Sequence, residues 1–238
     1  MNNLKIGIVV ADGDEYAPLV KEIEKKEYEE YNLLSRKGHK FTVCGEENSA
    51  EVIAINCGIG KVNAAVATMH LLDAGCNVIL NFGLSGGISG IKRGELCLGT
   101  SFLEHDFDLT GIGYKPCEKP GQKYIYESNE VLRELFLKVV ADAKCGTCVT
   151  GDSFICDEVI RHRLKENFSA MSCDMETAAI AYVCDSAKVP FLALRRISDD
   201  AGADAYENYN EMNISEETVL SDYILLFVKA LIDSEFGN

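Results

Sequence analysis

The sequence predicts an α/β protein, a three-layer α/β/α arrangement around a mixed, largely parallel central sheet. Three observations predict it. Strand-like and helix-like patterns alternate along the chain. Several strand-like runs are short and continuously apolar, as buried strands are. Acidic residues stand just beyond the ends of two such runs, at what becomes the carboxyl edge of an open α/β sheet, where ligands bind. No Pro/Gly/Ser-rich or charged linker interrupts the 238 residues, so 1–238 is expected to be a single domain.

Element by element, the Ile- and Val-rich run Leu4–Ala11 predicts the first strand. Helical spacing of Leu19, Val20 and Ile23 predicts a helix over Tyr16–Lys26. Residues 31–57 carry two or three short strands, among them Lys40–Cys44 and Glu51–Ile55, with turn-like Asn48-Ser49 between. Lys61–Leu72 reads as a closely packing, Ala-rich helix, Asn77–Phe82 as a buried strand, and Glu95–Leu103 as a strand leading into a long loop to about Tyr124. Asn129–Ala143 is helical. Strands Ala170–Cys173 and Phe191–Ile197 flank a helix over Thr177–Ala187. The last helix, Ser215–Ile232, has an apolar stripe of Val219, Leu220, Tyr223, Ile224, Phe227, Val228 and Leu231. Glu216 and Glu217 favour the dipole of its first turn.

Composition narrows the function classes. A hydrophobic share of 47% and a charged share of 26% are those of a soluble globular protein. The net charge of −15 argues against duplex DNA and anionic membrane as partners, because their binders need clustered Lys and Arg. No apolar stretch reaches the roughly 18 residues of a membrane span. Met1–Lys5 leads directly into the first strand with no targeting pattern. Of the ten cysteines, Cys44, Cys57, Cys76, Cys97, Cys173 and Cys184 lie in apolar patterns. They read as small buried thiols of a reducing, cytoplasmic protein. Cys145-Gly146-Thr147-Cys148 could be a redox pair or half of a zinc site, but nothing completes it, and the structural reading is favoured.

Several motifs carry candidate chemistry. Asp174-Met175-Glu176 follows the run Ser169–Cys173, and Asp199 closes Phe191–Ser198. Carboxylates beside apolar strands are costly unless paired or used. Asp12-Gly13-Asp14-Glu15 is either an acidic helix cap or a carboxylate poised to activate water. Gly58-Ile59-Gly60-Lys61 is a partial phosphate-loop pattern. A tight strand-to-helix turn is the favoured reading, and a helix N-terminus lining a ligand pocket is the alternative. Gly83-Leu84-Ser85-Gly86-Gly87 is a turn or a close backbone approach. Phe154, in Gly151–Ile155, is core or a stacking face for a flat base. His105-Asp106-Phe107-Asp108 has no distant histidine to complete it, and no metal is expected.

Taken in order, these segments resemble the nucleoside phosphorylase and nucleosidase superfamily. They are most similar to bacterial 5′-methylthioadenosine/S-adenosylhomocysteine nucleosidases of methionine salvage. The likeness runs from Lys5–Glu15 through Gly58–Val62, Asn81–Gly87, His105–Tyr114, Gly151–Ile155 and Asp174–Glu176 to Arg195-Arg196-Ile197-Ser198-Asp199. It implies that Asp199 protonates N7 of the leaving adenine, Glu15 activates water, and Glu176 binds the ribose hydroxyls over Met175. It further implies that Phe154 stacks on the base, the Ile155 backbone reads its edge, Ser198 orients Asp199, and Arg195 stabilises the acidic site. Ile59 would line the 5′ side. Tyr209, with Tyr206 or Met212 as further candidates, would cover the 5′ group. The resemblance implies a homodimer, a small purine nucleoside as ligand, and no cofactor.

Two departures stand out. Leu84 replaces the hydroxyl residue usual in these nucleosidases, with Ser85 adjacent, and Asp12-Gly13-Asp14 replaces a more apolar, glutamate-rich stretch. They leave another purine nucleoside or futalosine open as substrate. A phosphorylase and a non-catalytic nucleoside-binding protein are the alternatives in activity. Carboxylates of the first loop would repel a phosphate dianion, which favours water as nucleophile.

Overall fold

Strand β1 (Lys5–Val10) shows how the layers arise. Ile6, Ile8 and Val10 join one buried cluster, and Val9 joins another on the opposite face. Alternate residues of a strand point to opposite faces, so a strand covered on both sides reads as one apolar run. The computed structural model describes residues 4–212 and 214–234, with side chains outside 214–219.

From β1 the chain continues through α1 (Gly13–Ile23), β2 (Tyr28–Leu33), β3 (Arg36–Cys44), β4 (Ser49–Asn56), α2 (Lys61–Asp73), β5 (Val78–Gly87) and β6 (Leu96–Glu104). A long loop with one 3₁₀ turn leads to β7 (Tyr126–Glu127), α3 (Glu130–Val139), β8 (Lys144–Thr150), α4 (Glu158–Phe168) and β9 (Ala170–Asp174). α5 (Thr177–Ala187), β10 (Phe191–Asp199), α6 (Ala205–Asn210) and α7 (Ile214–Ile232) complete it.

Helices α1, α3 and α7 cover one face, where Leu19, Phe136, Phe227 and Leu231 pack on Ile6 and Ile8. Helices α2 and α5 cover the other, with Ala64, Ala67, Ala178 and Ile180 around Val9 and Ile55. The alanines bring α2 and α5 close, and Gly7 lets Leu71 of α2 sit directly on β1. On α7, Leu220, Ile224, Phe227, Val228 and Leu231 are buried as the spacing predicts. Val219, Glu216 and Glu217 lie outside the described side chains.

The sheet order is β10-β6-β8-β9-β5-β1-β4-β3-β2, and β10 also pairs with β5. Strands β5, β10, β6, β8 and β9 therefore close into a ring, and β1, β4 and the β2–β3 hairpin extend from it. The sheet is mixed. β5 runs parallel to β1 and β10, while β9 meets it antiparallel.

Gly83–Gly87, open between turn and close approach from sequence, is the last part of β5. There β5 exchanges neighbours: Gly86 and Gly87 pair with Cys173 and Ser172 of β9. A Cβ on Gly86 would lie 3.1 Å from both Cys173 Sγ and Asp199 Oδ1, so the approach of β9 and β10 depends on the missing side chain.

The ten cysteines are free. Cys145 and Cys148 lie three residues apart on β8 and so point to opposite faces. Cys145 is exposed, whereas Cys148 is buried with its Sγ 3.8 Å from that of Cys97. Among the described residues, no helix is long and apolar enough to cross a membrane.

Candidate active site

The site is assembled at the carboxyl ends of β1, β4, β5, β8, β9 and β10, with α6 over it. After β1, Asp12 caps α1 by accepting from Asp14 N at 2.7 Å. Glu15 sits in the first turn of that helix but faces inward and is only 7% exposed. Its Oε1 accepts from Leu84 N at 2.7 Å. The cap and the inward carboxylate are thus two residues of one motif. Burial pushes the Glu15 carboxyl up to about 8, against the attraction of Arg195.

After β4, Gly58 (φ 81°) and Gly60 (φ 102°) form the tight turn, in the left-handed region that favours glycine. The turn also serves the site. Gly60 N donates to Glu176 Oε1 at 2.9 Å, and Ile59 lines the cavity. Lys61 N donates to Asp152 Oδ1 at 2.9 Å, while its Nζ pairs with Asp106 at 2.6 Å.

After β9, Asp174 Oδ1 accepts from Glu176 N and Thr177 N, both at 3.0 Å, and from Thr150 Oγ1 at 2.7 Å. These bonds fix the start of α5 and hence Glu176. Burial raises the Glu176 carboxyl to about 7, again opposed by Arg195.

Arg195 is 1% exposed and stands behind the cavity rather than in its lining. Its Nε lies 3.1 Å from Asp174 Oδ2, and a terminal nitrogen donates to Asn81 Oδ1 at 2.6 Å and to Thr177 Oγ1. The same nitrogen is 3.9 Å from Glu176 Oε2. A methyl on Gly83 would lie 2.6 Å from the other terminal nitrogen and 2.7 Å from Glu15 Oε2. Glycine there lets Arg195 and Glu15 approach over β5.

At the end of β10 the register shifts between Ile197 and Asp199. Ser198 Oγ donates to Asp199 Oδ2 at 2.6 Å, and Ala201 N donates to Oδ1 at 2.8 Å. Burial nevertheless holds the Asp199 carboxyl above its ordinary value, outweighing these two donors.

These side chains surround a cavity of about 470 Å³, a size suited to a small molecule. Its polar lining includes Asp12, Glu15, Ser85, Glu176, Ser198 and Asp199. Leu84, Ile155 and Met175 supply apolar wall, and Ile59, Phe154, Tyr206 and Tyr209 frame the open side. Phe154 is 44% exposed and meets Tyr209 edge-on, with ring centroids 5.8 Å apart. Met212 does not join them; it packs against the α1/α3/α7 core. Among the described residues, no Lys, Arg or His lines the cavity. The Ser85 hydroxyl is buried in its wall with no hydrogen-bond partner among the described residues.

The sequence profile of the Phosphorylase superfamily matches residues 5–232. The chain belongs to the phosphorylase superfamily. Among its relatives in this superfamily, a 5′-methylthioadenosine/S-adenosylhomocysteine nucleosidase of Shewanella pealeana is 36% identical, over 87% of this chain and 91% of its own. An aminodeoxyfutalosine nucleosidase of Campylobacter jejuni is 29% identical over 96% of this chain and 100% of its own. A similar superfamily structure is the Helicobacter pylori 5′-methylthioadenosine/S-adenosylhomocysteine nucleosidase with butyl-thio-DADMe-Immucillin-A. It matches with a TM-score of 0.88 and 27% identity, over 96% of this chain and 99% of that one.

Thr150 and Thr177 join the site from outside the sequence motifs. Asn81, Thr150, Thr177 and Asp174 form a buried polar network around Arg195. Asn81 and Arg195 were visible as polar residues inside apolar strand runs, a pattern that calls for partners.

Proposed function

We propose that this protein hydrolyses the N-glycosidic bond of 5′-methylthioadenosine, S-adenosylhomocysteine or a related purine nucleoside, releasing adenine and a thioribose. The observation that carries the reading is the charge of the cavity: carboxylates and hydroxyls line it, and no cation does among the described residues. A phosphate dianion would find no counter-charge there, whereas neutral water needs none. The nucleosidase relatives in the superfamily support the same bond and the same nucleophile.

In this reaction the C1′–N9 bond breaks and its electron pair leaves with the purine. Asp199 delivers a proton to N7, a contribution of about 10²–10⁴-fold for a well-placed acid. Ser198, whose hydroxyl can reverse its donation, orients that carboxyl. Water adds to C1′ and passes a proton to Glu15, which Leu84 N holds in place. The carboxylates also stabilise the oxocarbenium-like sugar, as in other glycoside hydrolysis. Glu176 receives the ribose hydroxyls, Met175 lies under the sugar, and the Ser85 hydroxyl is an open polar contact of the wall. Phe154 stacks on the base and the Ile155 backbone reads its edge. Arg195 acts from behind, on Glu176 and Glu15.

A second reading changes only the 5′ substituent. Ile59 and Tyr206 are 52% and 66% exposed, so the 5′ side opens outward and admits a larger group. An aminodeoxyfutalosine-type nucleoside fits that opening, as the Campylobacter jejuni relative's name suggests. Exposed Val62, Val66 and Met69, at helical spacing on α2, support a homodimer formed over that helix. A cytoplasmic, single-domain enzyme completes the proposal.

The deciding experiment is adenine release from 5′-methylthioadenosine in phosphate-free buffer and again with phosphate added. Release without phosphate, with free 5-methylthioribose as product, supports the nucleosidase. Release only with phosphate, giving the sugar 1-phosphate, replaces it with a phosphorylase. Tight binding without release in either buffer leaves a nucleoside-binding protein.

A further inference from the structure

Arg195 is one cation facing three carboxyl groups: Asp174 at the end of β9, Glu176 at the start of α5, and Glu15 on α1. All four side chains are buried. One guanidinium compensates one buried carboxylate well, and further carboxylates beside it ionise at a cost. The geometry decides which of the three it serves. Asp174 is nearest, at 3.1 Å from Nε, against 3.9 Å for Glu176. Asp174 is also the least free to move, since Oδ1 accepts from Thr150, Glu176 N and Thr177 N, and Oδ2 from the Thr177 hydroxyl.

We propose that Asp174 is a positioning residue for the reaction: it holds the Arg195 guanidinium as its counter-ion, so that the cation does not neutralise Glu15 and Glu176, and both keep the basicity that proton transfer and ribose binding require. The inference rests on the hydrolytic reading of the site. The raised carboxyls of Glu15 and Glu176 agree with it. A base works best when its own proton affinity matches the working pH. A guanidinium released from Asp174 would lower a neighbouring carboxylate by about 1–3 pH units and make it a poorer base.

The other groups that face this cluster do not take over the role. Asp12 faces Glu15 from the loop before α1 and, like Asp174, adds negative charge. Cys57, at the end of β4, faces both glutamates, and burial pushes its thiol up to about 12, so it is neutral. Cys97 of β6 and Cys148 of β8 face Arg195 from the sheet. Asp199, on β10, acts on Cys173 at the other side of β9.

The test compares Asp174→Asn, which keeps an oxygen for the α5 amides but removes the charge, with Asp174→Glu, which keeps the charge. Two readouts are taken. One is the titration of ¹³C-labelled glutamate carboxyls by NMR, with Glu15 and Glu176 assigned from Glu15→Gln and Glu176→Gln. The other is the pH dependence of kcat/KM for adenine release from 5′-methylthioadenosine. In Asp174→Asn both glutamates titrate lower by about one pH unit or more, and the acid limb of kcat/KM moves down with them. Asp174→Glu restores both. Unchanged glutamate titration in folded Asp174→Asn overturns the proposal and leaves Asp174 as a helix cap. If Asp174→Asn does not fold, Asp174→Ser removes the charge while keeping a capping oxygen, and is read by the same two criteria. If the unaltered protein releases no adenine, the hydrolytic reading fails, and the carboxyl titration alone decides whether Asp174 governs Arg195.

Discussion

At the surface, Lys61 lies among Glu104, Asp106 and Asp152, at 3.3, 2.6 and 3.9 Å. In the interior, Arg195 lies among Asp174, Glu176 and Glu15. Each cluster places three carboxyls around a central cation, and the outcomes are opposite. The Lys61 side chain is 18% exposed and a second cation, Lys119, reaches Glu104 at 2.5 Å. Asp106 resists partial burial because Lys61 bonds to it, and its carboxyl is held below the ordinary range. Around Arg195, burial wins for Glu15 and Glu176. The difference teaches that access to water and a second cation together decide whether a carboxyl group at such a cluster stays a weak base or becomes a useful one.

The largest effect expected is on turnover. Glu15→Gln lowers adenine release by about 10²–10⁴-fold while a nucleoside analogue still binds by calorimetry. Asp106→Asn, its surface counterpart, leaves turnover close to that of the unaltered protein. A parallel loss of binding in Glu15→Gln would make Glu15 a binding or structural residue instead. Asp199→Asn, which cannot donate a proton, is expected to match Glu15→Gln in loss of turnover with the fold intact.

Stability separates the clusters next. Arg195→Met strands buried carboxyl groups and costs about 3–5 kcal/mol in urea unfolding. Lys61→Met costs about 1 kcal/mol or less. Equal costs would break the comparison.

The pH dependence of stability is smaller and has a definite sign. Glu15 and Glu176 titrate higher in the folded state than unfolded, so their contribution is full below about 4.5 and is lost as pH rises through about 7 and 8. Asp106 works the other way, contributing at neutral pH and losing its contribution in acid. The thermal midpoint of the unaltered protein therefore falls between about pH 5 and 9, and Glu15→Gln flattens that slope. An unchanged slope in the variant would show that Glu15 is not the group titrating. The smallest effect is that of salt: near 1 M NaCl, where the screening length is about 3 Å, the gap between unaltered protein and Lys61→Met closes.

Much of this was legible in the sequence. β1, α2, β10 and the alternation of elements follow from apolar period and length, and Asp174-Met175-Glu176 and Asp199 marked the ends of strands that carry the site. Four elements, β7, β8, α4 and α6, were not legible. β8 reads Lys-Cys-Gly-Thr-Cys-Val-Thr, and the glycine and paired cysteines hide a strand whose Gly146 is needed because a Cβ would strike Met171 at 2.6 Å. α4 buries only Leu164 among its eleven residues, too little to make a stripe. Sequence also left Glu15 open between cap and base, since both readings share one helical turn and only the rotation of α1 separates them. Asp174 and Glu176 look equivalent in the chain. Their difference lies in partners brought from β8 and β10, which no local pattern contains.

The exchange of neighbours along β5 has a consequence for how this enzyme can change. Asp199 ends a strand laid along one side of β5, and Glu176 follows a strand clipped to its far end on the other. The distance between the Asp199 and Glu176 carboxyl groups is thus measured along a single backbone, like marks on one ruler. Tyr206 and Tyr209 hang from α6, outside that ruler. Mutations in α6 reshape the open side of the cavity without disturbing that spacing, so altered selectivity is expected from α6 at least cost to rate.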